Sequence, residues 1–400
     1  MRVVIAGAGI GGLTTALGLH AAGIRDVTLA EAATDLRQLG VGLNILPHAA
    51  GVLGELHLLD RLTASCVQTR ELLLCNRFGD LIWREPRGKY AGHDWPQLSV
   101  HRADLVAVLA QAVRERLGDE AIRLDSRVVH VDTDTGHVHL SHRGGRTTET
   151  DADVVVGADG IRSAVRAQLY PDEGQPSGNG LVMWRGTSVA EPFLTGRSMV
   201  VSGDDVHRVV TYPVRRFPDG KVLVNWVAAR PADLETAVPE DALRYFGDWT
   251  FEWLDIPAIL DAADDVRMYP MVDREPLPRW SFGRTTLLGD AAHAMYPMGS
   301  NGATQAILDA AELARVLAAG DAVESALAEY ERARRPATTR LQASNRAHGP
   351  ERVIALAHQR APTGFDDIHD VISPDELAAV ADDYAAVSGL DQRPFHPADR

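Results

Sequence analysis

A glycine-rich turn at the start of the chain most constrains what it can fold into. The apolar, β-branched run 2–6 leads into Gly7-Ala8-Gly9-Ile10-Gly11-Gly12; a helical pattern follows and stops at Gly23, and a second strand at 27–30 precedes Glu31. In such a unit the first glycine permits a tight turn, the second lets the backbone approach a pyrophosphate, and the last lets helix and strand pack closely. The helix N-terminus offers unpaired N–H groups to that diphosphate. The pattern predicts a Rossmann-type dinucleotide site and leaves FAD and NAD both open.

Two later strands end in acidic residues. The run 153–157 leads into Gly157-Ala158-Asp159-Gly160, and 285–288 leads into Gly289-Asp290-Ala291-Ala292-His293. The carboxyl ends of parallel strands line the crevice in which such sheets bind ligands. Asp290 can hold sugar hydroxyls, and the loop 299–302 precedes a long helix whose dipole would stabilise negative charge on a reduced ring. A simple NAD dehydrogenase needs neither element, so FAD is favoured. For His293 we expect a hydrogen-bonded role at a helix start rather than catalysis.

The middle of the chain changes to a β-rich pattern. Runs at 181–189, 199–202, 207–214 and 222–228 alternate with turn residues, as is typical of an antiparallel sheet. We therefore predict an α/β protein with an α+β substrate region. It has a Rossmann-like FAD/NAD(P)-binding domain (1–75, 99–178 and 267–350), an inserted, mostly antiparallel β-sheet substrate domain (76–98 and 179–266), and a C-terminal helical segment and tail (351–400).

The inserted sheet would cover the flavin and form the ceiling of a substrate pocket, because ligand sites favour domain interfaces. The pocket candidates are Trp184, Arg185, Tyr212 and Trp226. Core packing is an equally open role for the three aromatic side chains. No catalytic side chain is assigned.

Charge and composition narrow the class of partner. The net charge of -15 disfavours nucleic acid and anionic lipid, so we expect a small-molecule partner and a monomer or homodimer. No apolar run approaches the roughly 18 residues needed to cross a bilayer, and the two cysteines, Cys66 and Cys75, imply no disulfide framework, so a cytoplasmic location is expected. His137, His139 and His142 alternate with apolar residues as the solvent face of a hairpin, and we predict no metal there.

The three motifs, in this order, resemble those of the single-component flavoprotein monooxygenases, the aromatic-hydroxylase family, over about the first 345 residues. Stretches such as Leu39-Gly40-Val41-Gly42, Val100-His101-Arg102 and Met183-Trp184-Arg185-Gly186 are similar to the phenazine-pigment branch of that family. The resemblance implies bound FAD, NADH or NADPH as a transient reductant, O2, and a small aromatic substrate that is hydroxylated through a flavin hydroperoxide. If the substrate is a ring carboxylate, attack at the carboxyl-bearing carbon would release CO2.

The resemblance also implies cofactor contacts. Glu31 would bind the adenosine ribose, Arg102 the diphosphate or ribitol, and Asp290 the ribityl chain, while Asp159 would reach FAD and the incoming nicotinamide. Val128 would border the adenine, and Gly302 with Ala303 would lie by the isoalloxazine, opposite Val41 and Gly42. Many relatives have Gln-Gly where this chain has Ser300-Asn301, which keeps the backbone role and leaves the side-chain role open. The full predicted set is Gly7, Gly9, Gly11, Gly12, Glu31, Ala32, Val41, Gly42, Arg102, Val128, Asp159, Asp290, Gly302 and Ala303.

The sequence disfavours two other flavin-dependent functions and leaves two alternatives open. A flavin halogenase should show Trp-x-Trp-x-Ile-Pro, and Trp253-Leu254-Asp255-Ile256-Pro257 misses that spacing. A disulfide reductase needs a close redox pair, whereas Cys66 and Cys75 are nine positions apart. A flavin-dependent dehydrogenase or reductase acting on a lipid-like or polyketide substrate stays open. So does a non-catalytic flavin-binding protein, although the inserted β-region would be superfluous in it.

Overall fold

The computed structural model describes residues 1–36 and 41–389. The motif residues Leu39 and Gly40 and the tail expected at 393–397 lie outside the described residues. The strands, in chain order, are β1 (Arg2–Ala6), β2 (Asp26–Ala30), β3 (Gly42–Ile45), β4 (Val67–Thr69), β5 (Glu71–Asn76), β6 (Leu81–Pro86), β7 (Gln97–His101), β8 (Ile122–Arg123), β9 (Arg127–Val131), β10 (His137–Ser141), β11 (Thr147–Asp151), β12 (Val154–Gly157), β13 (Ser177–Ala190), β14 (Ser198–Gly203), β15 (Arg208–Arg216), β16 (Val222–Pro231), β17 (Thr250–Phe251), β18 (Leu254–Asp255), β19 (Arg267–Asp273), β20 (Ser281–Phe282) and β21 (Thr285–Leu287).

The described residues also form twelve α-helices. In chain order they are α1 (Ile10–Ala21), α2 (Pro47–Glu55), α3 (Leu59–Thr63), α4 (Arg102–Leu117), α5 (Ala164–Leu169), α6 (Asp241–Phe246), α7 (Ile256–Asp261), α8 (Asp290–His293), α9 (Gly302–Ala318), α10 (Val323–Arg346), α11 (Arg352–Arg360) and α12 (Pro374–Ser388).

A six-stranded sheet with the order β20-β21-β12-β1-β2-β8 forms the first layer. All its neighbouring strands are parallel except β20 and β21. Residues 3–6 of β1 and 154–156 of β12 are almost fully buried because helices cover the sheet, and α1 packs against α4 and α9. Runs of β-branched residues suit strands buried on both faces. The predicted parallel, Rossmann-like sheet is therefore confirmed.

A seven-stranded sheet with the order β19-β13-β16-β15-β14-β5-β6 forms the second layer. Its pairs are antiparallel except β14 with β5, so the predicted mostly antiparallel sheet is confirmed. Strands β5 and β19 lie in this sheet, although their residues fall largely within the ranges 1–75 and 267–350. The division of the chain into two domains remains a prediction.

The C-terminal helices pack on the seven-stranded sheet. Val353 and Ile354 of α11 and Leu377 of α12 share a buried cluster with Leu72 and Leu74 of β5. Helix α12 begins as the sequence indicates, with the Glu376 N–H donating to the Ser373 hydroxyl at 3.3 Å and Pro374 in the first turn. Among the described helices, none combines the length and apolarity that a membrane span requires.

Candidate active site

The glycine turn after β1 has the shape that its residues predict. Gly7 has φ +97°, and a Cβ there would lie 2.5 Å from the Ala158 carbonyl oxygen. A Cβ on Gly12 would overlap the Gly7 carbonyl, so helix α1 approaches the strand too closely for any side chain. Beside Gly9, in contrast, a Cβ would meet no atom within 4 Å. The turn is closed on its protein side and open where a pyrophosphate is expected.

Three strand ends meet at this turn. Gly7 faces the turn after β12, as its contact with Ala158 shows, and a Cβ on Gly11 would lie 2.7 Å from Leu288 after β21. A Cβ on Gly302 at the start of α9 would lie 3.9 Å from an oxygen of Asp290. The three sequence motifs therefore lie along one edge of the parallel sheet.

Glu31 follows β2 directly and lies beside the glycine turn. Its two carboxylate oxygens accept hydrogen bonds from the N–H groups of Ala8 and Ala33, each at 2.8 Å, with Ala32 between Glu31 and Ala33 in the chain. The Ser126 N–H donates to the Glu31 carbonyl at 2.8 Å, which brings the start of β9 and Val128 close to this corner. The carboxylate therefore sits at the glycine turn, although its oxygens already have protein donors.

Asp159 and Arg102 have buried polar atoms without a partner. One Asp159 oxygen accepts from the N–H groups of Ala164 and Val165 at 2.7 and 3.3 Å, whereas the other oxygen is buried and has none. Burial raises the pKa of this carboxyl. The Arg102 Nε is buried and likewise unpartnered, while the Arg102 N–H donates to the Val41 carbonyl at 2.9 Å. Buried polar atoms normally have hydrogen-bond partners, so these atoms fit a polar ligand such as a dinucleotide.

His293 belongs to a buried ion-pair network. Its Nε2 lies 2.6 Å from one oxygen of Asp309, which also accepts from the Gly289 N–H at 3.1 Å. The Arg334 Nε donates to the other oxygen at 2.7 Å. Burial alone would raise the pKa of Asp309, but the charges of His293 and Arg334 hold the pKa at about 2. His293 thus has the hydrogen-bonded role that the sequence favoured, but it is the last residue of α8 and not at a helix start, whereas Asp290, the first residue of α8, is exposed.

A cavity lies between the seven-stranded sheet and the loop before α9. Of the predicted pocket residues, Arg185 and Tyr212 line it. Trp184 and Trp226 do not; both are fully buried in a cluster on the opposite face of the sheet. Successive side chains of a strand point to opposite faces, so Trp184 and Arg185 cannot share the cavity. The two tryptophans have the core-packing role that the sequence left open.

Three arginines line the cavity: Arg185, Arg208, and Arg87, which pairs with Glu85. The Arg185 Nη2 donates to the Gly42 carbonyl at 3.3 Å, its Nε is buried without a partner, and it forms no salt bridge with any described residue. Burial lowers the pKa of Arg185. Arg208 was not predicted from the sequence. Its Nε lies 3.4 Å from a carboxylate oxygen of Glu351, and its Nη2 is buried without a partner. Burial raises the pKa of Glu351.

Gly42 of β3, which lies in a three-stranded sheet with the order β3-β7-β4, contacts the seven-stranded sheet at this cavity. Its N–H donates to the buried Asn225 side chain of β16 at 2.6 Å, and its carbonyl accepts from Arg185 of β13. A Cβ at Gly42 would lie 2.6 Å from the Asn225 Cβ. The edge predicted to face the flavin is therefore fixed directly to the sheet that carries the substrate cavity.

The histidine hairpin lies away from this cavity. His137 and His139 of β10 place ring nitrogens 3.3 Å from oxygens of Glu149 on β11, and these ligand-type atoms lie within 4.8 Å of one another. A hydrogen bond with Asp151 raises the pKa of His137. These side chains are part-exposed and already contact acidic side chains, and the absence of a metal remains a prediction.

Comparison with known proteins decides the family. The model of the FAD binding domain family matches residues 1–344. This chain belongs to that family. It is 47% identical over 371 residues to the phenazine 1,6-dicarboxylic acid hydroxylase PhzS of Lysobacter antibioticus, covering 88% of this chain and 91% of that protein. It is 32% identical to 3-hydroxybenzoate 6-hydroxylase 1 of Aquipseudomonas alcaligenes, covering 86% and 88%.

Solved structures support the same fold. A variant of HpxO from Klebsiella pneumoniae, complexed with FAD, has a TM-score of 0.74 at 22% identity and covers 97% of this chain and 94% of its own. CtdE with FAD has a TM-score of 0.75 at 21% identity and covers 98% and 99%. The family member described here is an FAD-dependent monooxygenase of the aromatic-hydroxylase type, which uses O2 and NAD(P)H.

Proposed function

We propose that this monooxygenase hydroxylates a fused-ring aromatic carboxylate of the phenazine type, with Arg185 binding the carboxylate. The observation that carries the proposal is the partly buried Arg185 guanidinium, which lines the cavity, has a buried Nε without a partner, and has no salt bridge to any residue the structure describes. A buried charge is costly unless it is paired, so an anionic ligand is its natural partner. The similarity to a phenazine 1,6-dicarboxylic acid hydroxylase points to the same class of substrate.

The sheet register supports a long, flat substrate. Arg185 pairs with Val227, and Val227 with Val210, two residues from Arg208. The two arginines therefore lie on one face, two strands and two residues apart, which corresponds to about 12 Å between their Cα atoms. The floor between them is apolar and is formed by Met183, Val210, Val227 and Ala229. A three-ring aromatic with acidic groups at opposite corners matches this floor, because methionine and aliphatic side chains pack well against aromatic faces.

Little acid–base chemistry is required of the protein. Bound FAD, reduced by NADH or NADPH, supplies the activation of O2. The chain's residues hold the ring against the sheet, exclude water and place positive potential from the start of α9 next to the cofactor. If the attacked carbon carries the carboxyl group, one aryl carboxylic acid, one NAD(P)H, one proton and one O2 give one phenol, one CO2, one NAD(P)+ and one water.

The FAD contacts belong to this proposal as well. Glu31 and Ala32 would hold the ribose, Val128 would border the adenine, the glycine turn and Arg102 would hold the diphosphate, and Asp290 would hold the ribityl chain. Gly302-Ala303 and Val41-Gly42 would border the isoalloxazine, and Asp159 would contact FAD and the visiting nicotinamide. The support comes from the convergence of three strand ends and from the unpartnered atoms of Asp159 and Arg102. We also propose a cytoplasmic monomer or homodimer, in keeping with the free Cys66 and Cys75.

A substrate screen tests the proposed function. Phenazine-1,6-dicarboxylic acid, phenazine-1-carboxylic acid and phenazine are each added to the holoenzyme with NADH or NADPH. We expect both carboxylates to stimulate NAD(P)H oxidation, with mass spectrometry showing one added oxygen or loss of CO2. Hydrogen peroxide is measured alongside, because an effector can stimulate reduction without being hydroxylated. Stimulation by phenazine alone, or peroxide with no product from either carboxylate, contradicts the proposal.

An arginine variant tests the role of the guanidinium. Arg185→Met should raise the KM for the carboxylates about tenfold or more, because a hydrogen bond to a charged group contributes about 1.5–3 kcal/mol. Arg216→Met is the matched control, since Arg216 donates to the Gly196 carbonyl on the same sheet and does not line the cavity. Binding of uncharged phenazine, measured by equilibrium dialysis, should not change in either variant. An equal loss for charged and uncharged ligands would assign Arg185 to FAD or to folding instead.

A further inference from the structure

The C-terminal helix α12 contacts the loop before α9. This helix lies beyond residues 1–344, the part of the chain that matches the family model. Its Tyr384 is buried, and the Tyr384 hydroxyl donates to the Met298 carbonyl at 3.2 Å. The same hydroxyl accepts a hydrogen bond from the Asn301 side-chain amide at 2.6 Å. Tyr384, more than eighty residues further along the chain, thus ties both ends of the loop 298–301 to α12.

The loop conformation depends on this contact. Gly299 has φ +62°, and a Cβ there would overlap the Tyr384 hydroxyl. Ser300 also has a positive φ, +59°, which is uncommon for a residue other than glycine. Asn301 is fully buried, and its amide also donates to the Gly299 carbonyl at 3.2 Å. A strained loop persists only where surrounding contacts hold it, and Tyr384 supplies two of those contacts.

The loop lies between the cavity and the start of α9. Met298, Gly299 and Ser300 line the cavity, and Gly302 begins the helix. A change in the loop would therefore alter the helix N-terminus and the cavity wall together. A glycine in place of Asn301 would have no amide side chain and could not bond to the tyrosine.

We propose that Tyr384 is a positioning residue that, through Asn301 and Met298, holds the loop 298–301 in the conformation that receives the isoalloxazine of FAD. The proposal rests on the placement of the ring beside Gly302 and Ala303. It does not depend on the identity of the aromatic substrate. Tyr384 touches the loop and acts on the cofactor only through it.

The test is the binding of FAD to full-length Tyr384→Phe. The phenylalanine ring keeps the packing and removes both hydrogen bonds of the hydroxyl. We expect the FAD dissociation constant, measured by flavin fluorescence as the holoenzyme is diluted, to rise about fivefold, as loss of one net hydrogen bond predicts. The visible absorption bands and the midpoint potential of the flavin should shift, because its surroundings change. Loss of general stability alone would move neither property.

Two further variants complete the design. Asn301→Ala should weaken FAD binding to a similar extent, and the effect of the double variant with Tyr384→Phe should be smaller than the sum of the two single effects, since both substitutions remove the same Asn301–Tyr384 hydrogen bond. Tyr170→Phe is the matched control, because that hydroxyl donates to the Arg279 carbonyl at 2.7 Å away from the loop. An unchanged FAD dissociation constant and spectrum in Tyr384→Phe, or an equal change in Tyr170→Phe, overturns the proposal. Failure of every phenazine as a substrate would leave these measurements unaffected.

Discussion

The His293 imidazole and the Asp309 carboxylate form a buried hydrogen bond of 2.6 Å that ties the helix after β21 to α9. The same carboxylate oxygen accepts from the Gly289 N–H, and Arg334 of α10 pairs with the other oxygen. One carboxylate thus holds together the strand end that presents Asp290, the helix that begins at Gly302, and α10. The geometry of the proposed FAD site therefore depends on a fully buried carboxylate.

Asp309→Asn should destabilise the protein strongly. The substitution removes the charge that pairs with His293 and Arg334, and breaking a buried pair typically costs about 3–5 kcal/mol. Urea unfolding monitored by circular dichroism measures the change. Glu312→Gln on the same helix is the control, because Glu312 pairs with Arg315 at the surface, where such a pair contributes about 1 kcal/mol or less. Similar losses in the two variants would show that the network is not a major source of stability.

Asp290→Ala, in contrast to Asp309→Asn, should leave the stability nearly unchanged and should weaken FAD binding. The Asp290 side chain is exposed and forms no hydrogen bond with the residues that the structure describes. The apoprotein should therefore unfold within about 0.5 kcal/mol of the parent, as for an ordinary surface substitution. The FAD dissociation constant should rise about tenfold or more, because charged hydrogen bonds to the ribityl hydroxyls are lost. Asp261→Ala, an exposed residue at the end of α7, is the control for FAD titration. Full flavin occupancy in Asp290→Ala would remove Asp290 from the proposed site.

Two substitutions in the glycine turn should distinguish an effect on FAD binding from an effect on folding. Gly9 has φ -78° and ψ -173°, which alanine adopts freely, and its Cβ would project into open space. Gly9→Ala should leave the melting temperature of the apoprotein unchanged and should weaken FAD binding, because the methyl group occupies the space of the diphosphate. Gly12→Ala should instead prevent folding or lower the melting temperature sharply, since its Cβ overlaps the Gly7 carbonyl. Tight FAD binding by Gly9→Ala would place the diphosphate elsewhere.

Local sequence patterns predicted the strands and turns of the site better than they predicted which face of each strand covers the cavity. The run 207–214 indicates a strand, and counting by two from Tyr212 places Arg208 on the same face, yet nothing local shows which face covers a cavity. For this reason the sequence offered Trp184 and Arg185 together, although adjacent residues of a strand point apart. The strand ends at Asp159 and Asp290 were found because strand, turn and acid are contiguous in the chain.

Long-range contacts had no such signal. The parallel pairing of β5 with β14 joins segments more than a hundred residues apart, and no turn between them fixes the register. Tyr384 and Asn301 are likewise distant in sequence, and each residue alone is an ordinary helix or loop residue. Their contact depends on how α12 packs against the sheet. Neither the hydrophobic periodicity of the sequence nor its turn-forming residues predict that packing.

The stability of the protein should fall as the pH drops from about 6.5 to about 4. Burial, with smaller effects from Arg334 and His93, lowers the pKa of His48 from 6.5 to about 4. Between these values the unfolded chain binds a proton at His48 that the folded protein does not, so acid favours unfolding. Below about pH 4 both states carry the proton, and this loss is complete at about 3 kcal/mol or less. Urea unfolding of the apoprotein at a series of pH values measures the slope.

Other groups titrate in or near this interval. His20, His93, His101 and His348 also have pKa values lowered by burial and act in the same direction. Asp159 and Glu351 have raised pKa values and act in the opposite one. The difference between the parent and His48→Gln isolates His48, because the other groups are common to both. The variant should lose less stability between pH 6.5 and pH 4, whereas His369→Gln, at an exposed position, should keep the parental slope. Parallel pH profiles for the parent and His48→Gln would show that His48 gains its proton in the folded state as readily as in the unfolded one.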